Sequence, residues 1–228
     1  MPSDAVVADL HAAAVETSAI VATQMLESMI SSPVPTRAET SDVATAIYEG
    51  ADAIMLSAES ASGQFPREAV DMMDRIIRKV EVDPHYRAPI DSQHDEPQAT
   101  SADAICYALR HTARVVSAKS IVTYTSSGFS SLCAARERPE APILSLTPQI
   151  LTARRLALTW RVHSVLVDNV AYTHTMTDIA CKTALREGFA NPGENVVIAA
   201  GVRFGQSGTT NLLRIATVWA PVSGNSPI

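Results

Sequence analysis

Short apolar runs rich in β-branched residues alternate along this chain with segments of helical periodicity. The apolar runs, which predict strands, cover residues 18–25, 51–57, 120–125, 141–147, 162–168, 195–201 and 211–219. The segments that predict helices cover residues 42–50, 67–83, 101–116, 130–139, 148–160 and 173–189. Strands and helices that alternate through short loops usually form a parallel sheet covered by helices. The alternation therefore predicts an α/β fold throughout the chain.

A polar segment with three prolines, residues 84–100, interrupts this pattern and predicts a linker. Two strand–helix units (20–83) come before it and follow a weakly patterned leader at 1–19. Residues 101–228 predict a self-contained five-stranded α/β sandwich domain with helices on both faces of its sheet. Because the connection after residue 201 is short, the last strand is predicted to run antiparallel to the others.

Two helices carry more detailed predictions. The TSD sequence at 40–42 predicts the N-cap of the helix that ends at Gly50. The segment 67–83 is strongly amphipathic. Its predicted buried face consists of Val70, Met73, Ile76, Ile77 and Val80.

The composition indicates a globular protein with a sizeable core, since 46% of the residues are hydrophobic and 18% are charged. The formal net charge of -6 argues against binding to nucleic acid or to anionic membranes. No apolar run approaches the ~18 residues that a membrane span needs, and the first residues lack the pattern of a signal peptide. A cytoplasmic location is expected.

The three cysteines, Cys106, Cys133 and Cys181, are far apart in the sequence. Their odd number and their spacing exclude a complete disulfide framework and a CxxC metal site. We expect them to be small buried side chains. The six histidines show no spacing typical of a metal site.

Two predicted strands of the first part end in side chains that could act on a ligand, because ligands bind at the carboxyl ends of parallel strands. Thr23 and Gln24 lie at the end of the first strand, and Ser57 and Glu59 follow the second. A hydroxyl at Thr23 could donate to a substrate oxygen or simply bond to the backbone. A carboxylate at Glu59 could orient a substrate, although an isolated pair of this kind is unspecific.

A third candidate is the TSSGFS sequence at 125–130, where a strand leads through Ser-Ser-Gly into a helix. This pattern places hydroxyls and free backbone N–H groups at a helix N-terminus, which favours an anion such as phosphate. The hydroxyl donors would be Thr125, Ser126, Ser127 and Ser130. An ordinary capped turn is the alternative, and the glycine-rich loop 203–210 with Arg203 is either part of an effector site or a hairpin turn.

Several long strings, in the right order, resemble the pyruvate kinase family. Those that resemble the end of its catalytic barrel are VATQMLESMI (21–30), PTRAE (35–39), SDVATAIYEGADAIMLSAESASGQFP (41–66) and AVDMMDRI (69–76). Those that resemble its C-terminal domain are TSSGFS (125–130), RLALTW (155–160) and GENVVIAAGVRFGQSGTTNLLRI (193–215). The resemblance covers about residues 20–218, and the stretch 21–66 is its most specific part.

The resemblance implies a partial (β/α)8-barrel segment, with the strands at 18–25 and 51–57 as the seventh and eighth, followed by the α/β sandwich domain. It implies that Thr23 is the active-site threonine and that Ser57 and Glu59 lie at the edge of the active site. It also implies a subunit-interface position for Arg37 in a homotetramer. The effector phosphate pocket would be lined by Thr125, Ser127, Gly128 and Ser130.

By this resemblance the expected reaction is that of a glycolytic phosphotransferase, which converts phosphoenolpyruvate and ADP to pyruvate and ATP with Mg2+ and K+. The family's metal ligands, catalytic lysine and phosphate-gripping arginine all precede the matched segment. The chain alone is therefore expected to be a truncated, inactive form. The alternatives are a regulatory module that binds a sugar phosphate, and a non-functional remnant.

This sequence departs from the family pattern at three positions. Arg161 stands where the family usually has glycine, Arg203 where it usually has proline, and Ser62 where some relatives have a basic residue.

Overall fold

A computed structural model of the chain describes residues 19–22, 25–92, 97–170, 172–202 and 209–219. The chain divides into two compact units, Met1–Asp95 and Glu96–Ile228. Within the described residues, no helix is long and apolar enough to cross a membrane.

The first unit contains two short parallel strands and the helices that follow them. Its elements are β1 (Ile20–Ala22), a 3-10 helix (Glu27–Ile30), α1 (Arg37–Tyr48), β2 (Ala53–Met55), α2 (Ala58–Ala61), α3 (Pro66–Glu81) and α4 (Pro84–Ser92). In the register of the two strands, Val21 lies opposite Ile54. The unit has its own apolar core, which includes the fully buried side chains of Leu26, Met29 and Val43.

Helix α1 begins earlier than the sequence pattern indicated. Its N-cap is Thr36, which forms a capping box with Glu39, and not the TSD sequence at 40–42. In a capping box, the N-cap hydroxyl and the acidic residue three positions later each accept a hydrogen bond from the other's backbone N–H. The pair satisfies two N–H groups of the first turn, so the N-cap prediction at 40–42 was wrong.

The buried face of α3 differs from the predicted one by a small rotation. Met73, Ile76 and Val80 are buried as predicted, and Ala69 joins them. Val70 is 52% exposed, so its assignment to the buried face was wrong.

Two of the segments expected to lack regular structure contain helices. The four-residue helix α2 lies between the predicted strand 51–57 and the predicted helix 67–83, where no element was predicted. Helix α4 lies within residues 84–100, the predicted linker, and the division between the units also falls in that range.

The second unit is a five-stranded α/β domain. Its elements are α5 (Ser101–Val115), β3 (Ser120–Tyr124), α6 (Phe129–Arg136), β4 (Ile143–Thr147), α7 (Ile150–Leu156), β5 (Val162–Leu166), α8 (Thr173–Arg186), β6 (Asn195–Ala200) and β7 (Leu212–Thr217). The strand order across the sheet is β5-β4-β3-β6-β7. The first four strands in sequence are parallel, and β7 pairs antiparallel with β6, as the short connection predicted.

Alternate residues of the central strands bury the two faces of this sheet. Val122 of β3 packs in a cluster with Met176 and Ala180 of α8. Ile121, one residue earlier, packs on the opposite face with Leu109 of α5 and residues of α6. Successive side chains of a strand point to opposite faces, so strands buried on both sides read as continuous apolar runs. The predicted α/β sandwich domain with helices on both faces is confirmed.

Candidate functional site

In the first unit the candidate residues follow the carboxyl ends of β1 and β2. The two strands are parallel, with Ala22 opposite Met55, so both chains leave the sheet at the same edge. Ser57 follows β2 and is exposed, and Glu59 lies on α2. Thr23 lies outside the described residues, and its catalytic role stays a prediction.

Glu59 is almost fully buried, with 4% of its surface exposed. Its Oε2 atom accepts a hydrogen bond of 2.7 Å from the backbone N–H of Ser57. This carboxylate therefore holds the turn between β2 and α2, and one of its oxygens is already occupied. Gly63 packs against the same turn, since a Cβ atom there would lie 2.5 Å from the carbonyl oxygen of Glu59.

Glu39, which the sequence analysis did not single out, organises the loop before α1. Its carboxylate accepts hydrogen bonds from the backbone N–H of Ser28 at 2.6 Å and from the Ser28 hydroxyl at 2.5 Å. It also accepts from the N–H of Thr36 at 2.7 Å and from the Thr36 hydroxyl at 2.8 Å. Partial burial opposes ionisation of Glu39, but the hydrogen bonds from Ser28 and Thr36 outweigh it and lower the pKa to about 2. The T-x-x-E spacing at 36–39 was the available signal for this residue.

Arg37 is the first residue of α1, directly after the Thr36 cap, and its side chain is exposed. That position is compatible with contact to another subunit. Its predicted place in an interface stays a prediction.

In the second unit, the arrangement of the strands creates a crevice between β3 and β6. From β3 the chain continues to β4 on one side, while from β6 it continues to β7 on the other side. Adjacent parallel strands whose connections leave in opposite directions form the usual ligand-binding crevice of an open α/β sheet. The TSSGFS loop (125–130) leaves β3 at this crevice, and the segment after Gly201 leaves β6 beside it.

The TSSGFS loop is held by its own hydrogen bonds. The Thr125 hydroxyl oxygen accepts from the N–H of Gly128 at 3.0 Å, and the Thr152 hydroxyl of α7 donates to the carbonyl oxygen of Ser126 at 2.8 Å. Gly128 has a φ of 96°, in the region that favours glycine, and it is the N-cap of α6. Ser127, beside it, is half-buried. Two N–H groups of the first turn of α6 have partners within the loop: that of Phe129 donates to the Ser127 hydroxyl oxygen at 3.4 Å, and that of Ser131 donates to the Gly128 carbonyl oxygen at 3.0 Å.

Two of the predicted phosphate-binding hydroxyls are buried and hydrogen-bonded to other residues of the same chain. Thr125 is 6% exposed and Ser130 is 5% exposed. The Ser130 hydroxyl is paired with that of Thr210 at 2.7 Å, which ties the start of α6 to the end of the loop after β6. The structure thus gives these side chains a role in shaping the loop. Residues 203–208, which include Arg203, lie outside the described part.

Within the described residues, no group of three or more His, Cys, Asp or Glu side chains is placed to hold a metal ion. The buried Glu59 carboxylate is engaged by the backbone of Ser57.

The described fold defines the class: two βα units with parallel strands, followed by a five-stranded α/β domain in which the TSSGFS loop lies at the β3–β6 switch point. A family model described as "Pyruvate kinase, barrel domain" matches residues 10–70, and one described as "Pyruvate kinase, alpha/beta domain" matches residues 103–216. The chain belongs to the pyruvate kinase family.

Curated relatives named pyruvate kinase support the same family assignment. The chain is 52% identical over 199 residues to a pyruvate kinase of Methylorubrum extorquens, and this match covers 87% of this chain and 42% of that enzyme. It is 46% identical over 202 residues to one of Agrobacterium vitis, with 88% of this chain and 42% of that enzyme covered. For a pyruvate kinase of Geobacillus stearothermophilus the identity is 44% over 199 residues, and the match covers 87% of this chain and 34% of that enzyme. The chain thus spans less than half the length of these relatives.

Proposed function

We propose that this chain forms the last two barrel units and the C-terminal domain of a pyruvate kinase, which converts phosphoenolpyruvate and ADP to pyruvate and ATP. The observation that carries this proposal is the ordered match of both family models, one within each compact unit. In this reading Thr23, at the end of β1, is the active-site threonine, and Ser57 and Glu59 shape the edge of the site. Its glycolytic role would place it in the cytoplasm, as part of a homotetramer.

The 228-residue chain taken alone is catalytically incomplete in this proposal. A barrel of this type closes eight strands, and its active site is built from loops at the ends of several of them. The described residues of the first unit form a sheet of two strands, which supplies two such ends. Phosphoryl transfer depends on electrostatic stabilisation by metal ions and cationic side chains, with Mg2+ and K+ supplying that charge in the whole enzyme. The Glu59 carboxyl group accepts a hydrogen bond from the Ser57 N–H and stabilises its own turn. A carboxyl group cannot replace the positive charge that metal ions and cationic side chains supply.

The function is tested with a chimera in which residues 20–219 replace the aligned part of the Methylorubrum extorquens enzyme. Pyruvate formation is followed through lactate dehydrogenase. We expect turnover within about tenfold of the parent, and a loss of at least about a hundredfold for Thr23→Ala in the chimera, since removing one hydrogen-bond donor to an oxygen that gains charge costs about this much. Thr45→Ala, a change at an exposed position of α1, is the matched control and should leave the rate unchanged. A folded chimera without turnover would refute the assignment.

We also propose that the TSSGFS loop binds the phosphate group of a sugar-phosphate effector at the N-terminus of α6, with the hydroxyl of Ser127 as one donor. The position at the β3–β6 switch point supports this, as does the left-handed turn at Gly128. Calorimetry with fructose bisphosphate and with hexose monophosphates tests it. Ser127→Asp should abolish the heat of binding by charge repulsion, and Ser127→Thr should retain it. Equal heats for both variants, or none for the folded parent chain, would contradict this site.

A further inference from the structure

The two strands of the first unit expose one face of their small sheet. Ile20 of β1 and Met55 of β2 are 47% and 45% exposed, and Ala22 on the same face is exposed as well. The opposite face carries Ile54, which packs against the buried core of the unit. Parallel sheets are almost always covered on both faces. The exposed face is therefore a surface that another element is expected to cover.

The side chains on this exposed face alternate in size between the two strands. Ile20 lies opposite Ala53, and Met55 lies opposite Ala22. The large side chain comes from β1 in the first of these rows and from β2 in the second. In a closed (β/α)8 barrel, the side chains that fill each interior layer likewise come from alternate strands. The exposed face thus has the pattern of a barrel interior.

Each of the two strands also has an open edge. Within the described residues of the first unit, β1 and β2 pair with each other and form a sheet of two strands. An open edge carries unpaired backbone groups and is a template for pairing with a further strand. A barrel of eight parallel strands would pair both edges and would pack its interior against Ile20 and Met55.

The relatives carry the chain length that such a partner needs. The match to the Methylorubrum extorquens enzyme covers 42% of that enzyme, so more than half of it lies outside the match. The family model that matches residues 10–70 of this chain is that of the barrel domain. The exposed face is therefore similar in sequence to a surface that packs, in the relatives, against the rest of the barrel. This favours the rest of a family barrel as the occupant over further copies of this chain.

We propose that the exposed face and the two open edges dock a separate polypeptide, the first six βα units of a pyruvate kinase barrel. The proposal rests on the proposed function, which assigns β1 and β2 to the seventh and eighth strands. It adds that the two parts associate without a covalent link. Backbone hydrogen bonds at both edges, together with burial of Ile20 and Met55, hold them together.

The test combines the 228-residue chain with the part of the Methylorubrum extorquens enzyme that precedes the match, which carries an affinity tag. The two polypeptides are co-expressed and, in a second route, refolded together from urea. Affinity capture followed by size-exclusion chromatography with light scattering measures association. We expect one complex that holds the two polypeptides in equal amounts. Recovery of the chain without the tagged part from both routes, as a monomer or as an oligomer of its own, would overturn the proposal.

Variants of the exposed face locate the contact. Ile20→Asp and Met55→Asp place an unpaired charge in the interior of the complex, so we expect at least about hundredfold weaker association. Val70→Asp is the matched control, because Val70 is a 52% exposed apolar residue on α3, and it should associate like the parent. All three positions are exposed in the free chain, so its melting curve should stay unchanged. Equal association of the Ile20→Asp, Met55→Asp and Val70→Asp chains would overturn this assignment of the surface.

The chimera that carries residues 20–219 separates this proposal from the proposed function. An active chimera combined with no association of the two separate parts refutes docking and leaves the function in place. A folded chimera without turnover refutes the function whether or not the parts associate.

Discussion

Glu39→Gln should destabilise the first unit by about 2 kcal/mol at neutral pH. The carboxylate accepts four hydrogen bonds from Ser28 and Thr36, and these hold its pKa at about 2 against an ordinary value of 4.5. Unscreened, the difference corresponds to about 3 kcal/mol of preference for the ionised form in the folded state, and solvent screening of this partly buried carboxylate reduces the contribution to about 2 kcal/mol. The amide of glutamine removes the charge and replaces one accepting oxygen with a donor that faces other donors.

The same contribution depends on pH with a defined sign. Because folding lowers the pKa of Glu39, its stabilising effect is fully present above about pH 4.5 and is lost as the pH falls towards about 2. The parent chain should lose stability over this window, while Glu39→Gln should lack that part of the pH dependence.

Hydrogen exchange of the Ser28 and Thr36 amides measures this effect locally, with urea unfolding as the global readout. Glu68→Gln is the matched control, since Glu68 occupies the same third position of α3, where the N-cap is Phe65 and no side-chain cap forms. We expect the control to change stability by less than about 1 kcal/mol, as for an exposed acidic residue near a helix N-terminus. Equal losses for Glu39→Gln and Glu68→Gln, or an unchanged acid transition, would refute the reasoning.

Two further substitutions probe backbone geometry. Arg161 has a φ of 51°, its guanidinium lies 5.2 Å from the Trp160 ring, and it donates to the carbonyl oxygen of Glu140. Arg161→Gly relieves left-handed strain while Arg161→Ala does not, so urea unfolding followed by tryptophan fluorescence should find the glycine variant more stable than the alanine variant by about 1 kcal/mol; equal stabilities would contradict this. Gly63→Ala places a Cβ atom 2.5 Å from the carbonyl oxygen of Glu59 and should cost the first unit about 1–3 kcal/mol, as a thermal melt would show; an unchanged melting temperature would mean that the turn relaxes freely.

The strand and helix order of the second unit could be predicted from the sequence because each central strand is apolar on both faces. Successive residues such as Ile121 and Val122 belong to different cores, and a strand buried on both faces in this way reads as a continuous apolar run. The antiparallel last strand followed from the length of one connection. The N-cap of α1 was missed because two cap signals lie close together, and the complete T-x-x-E box at Thr36 and Glu39 prevailed over the TSD sequence.

The side-chain partners within the sites could not be predicted in the same way. Thr125 and Ser130 were expected to face a ligand, but they are buried and bonded to Gly128 and Thr210. The contact of Ser130 with Thr210 spans 80 residues of sequence and depends on the β3–β6 neighbourhood.

The central claim is that these residues work as part of a completed barrel and not alone. The most direct measurement compares, in one lactate dehydrogenase-coupled assay with Mg2+ and K+, the 228-residue chain and the chimera that carries residues 20–219. We predict steady pyruvate formation by the chimera and a rate indistinguishable from the enzyme-free blank for the chain. Turnover by the isolated chain at the chimera's rate would contradict the account.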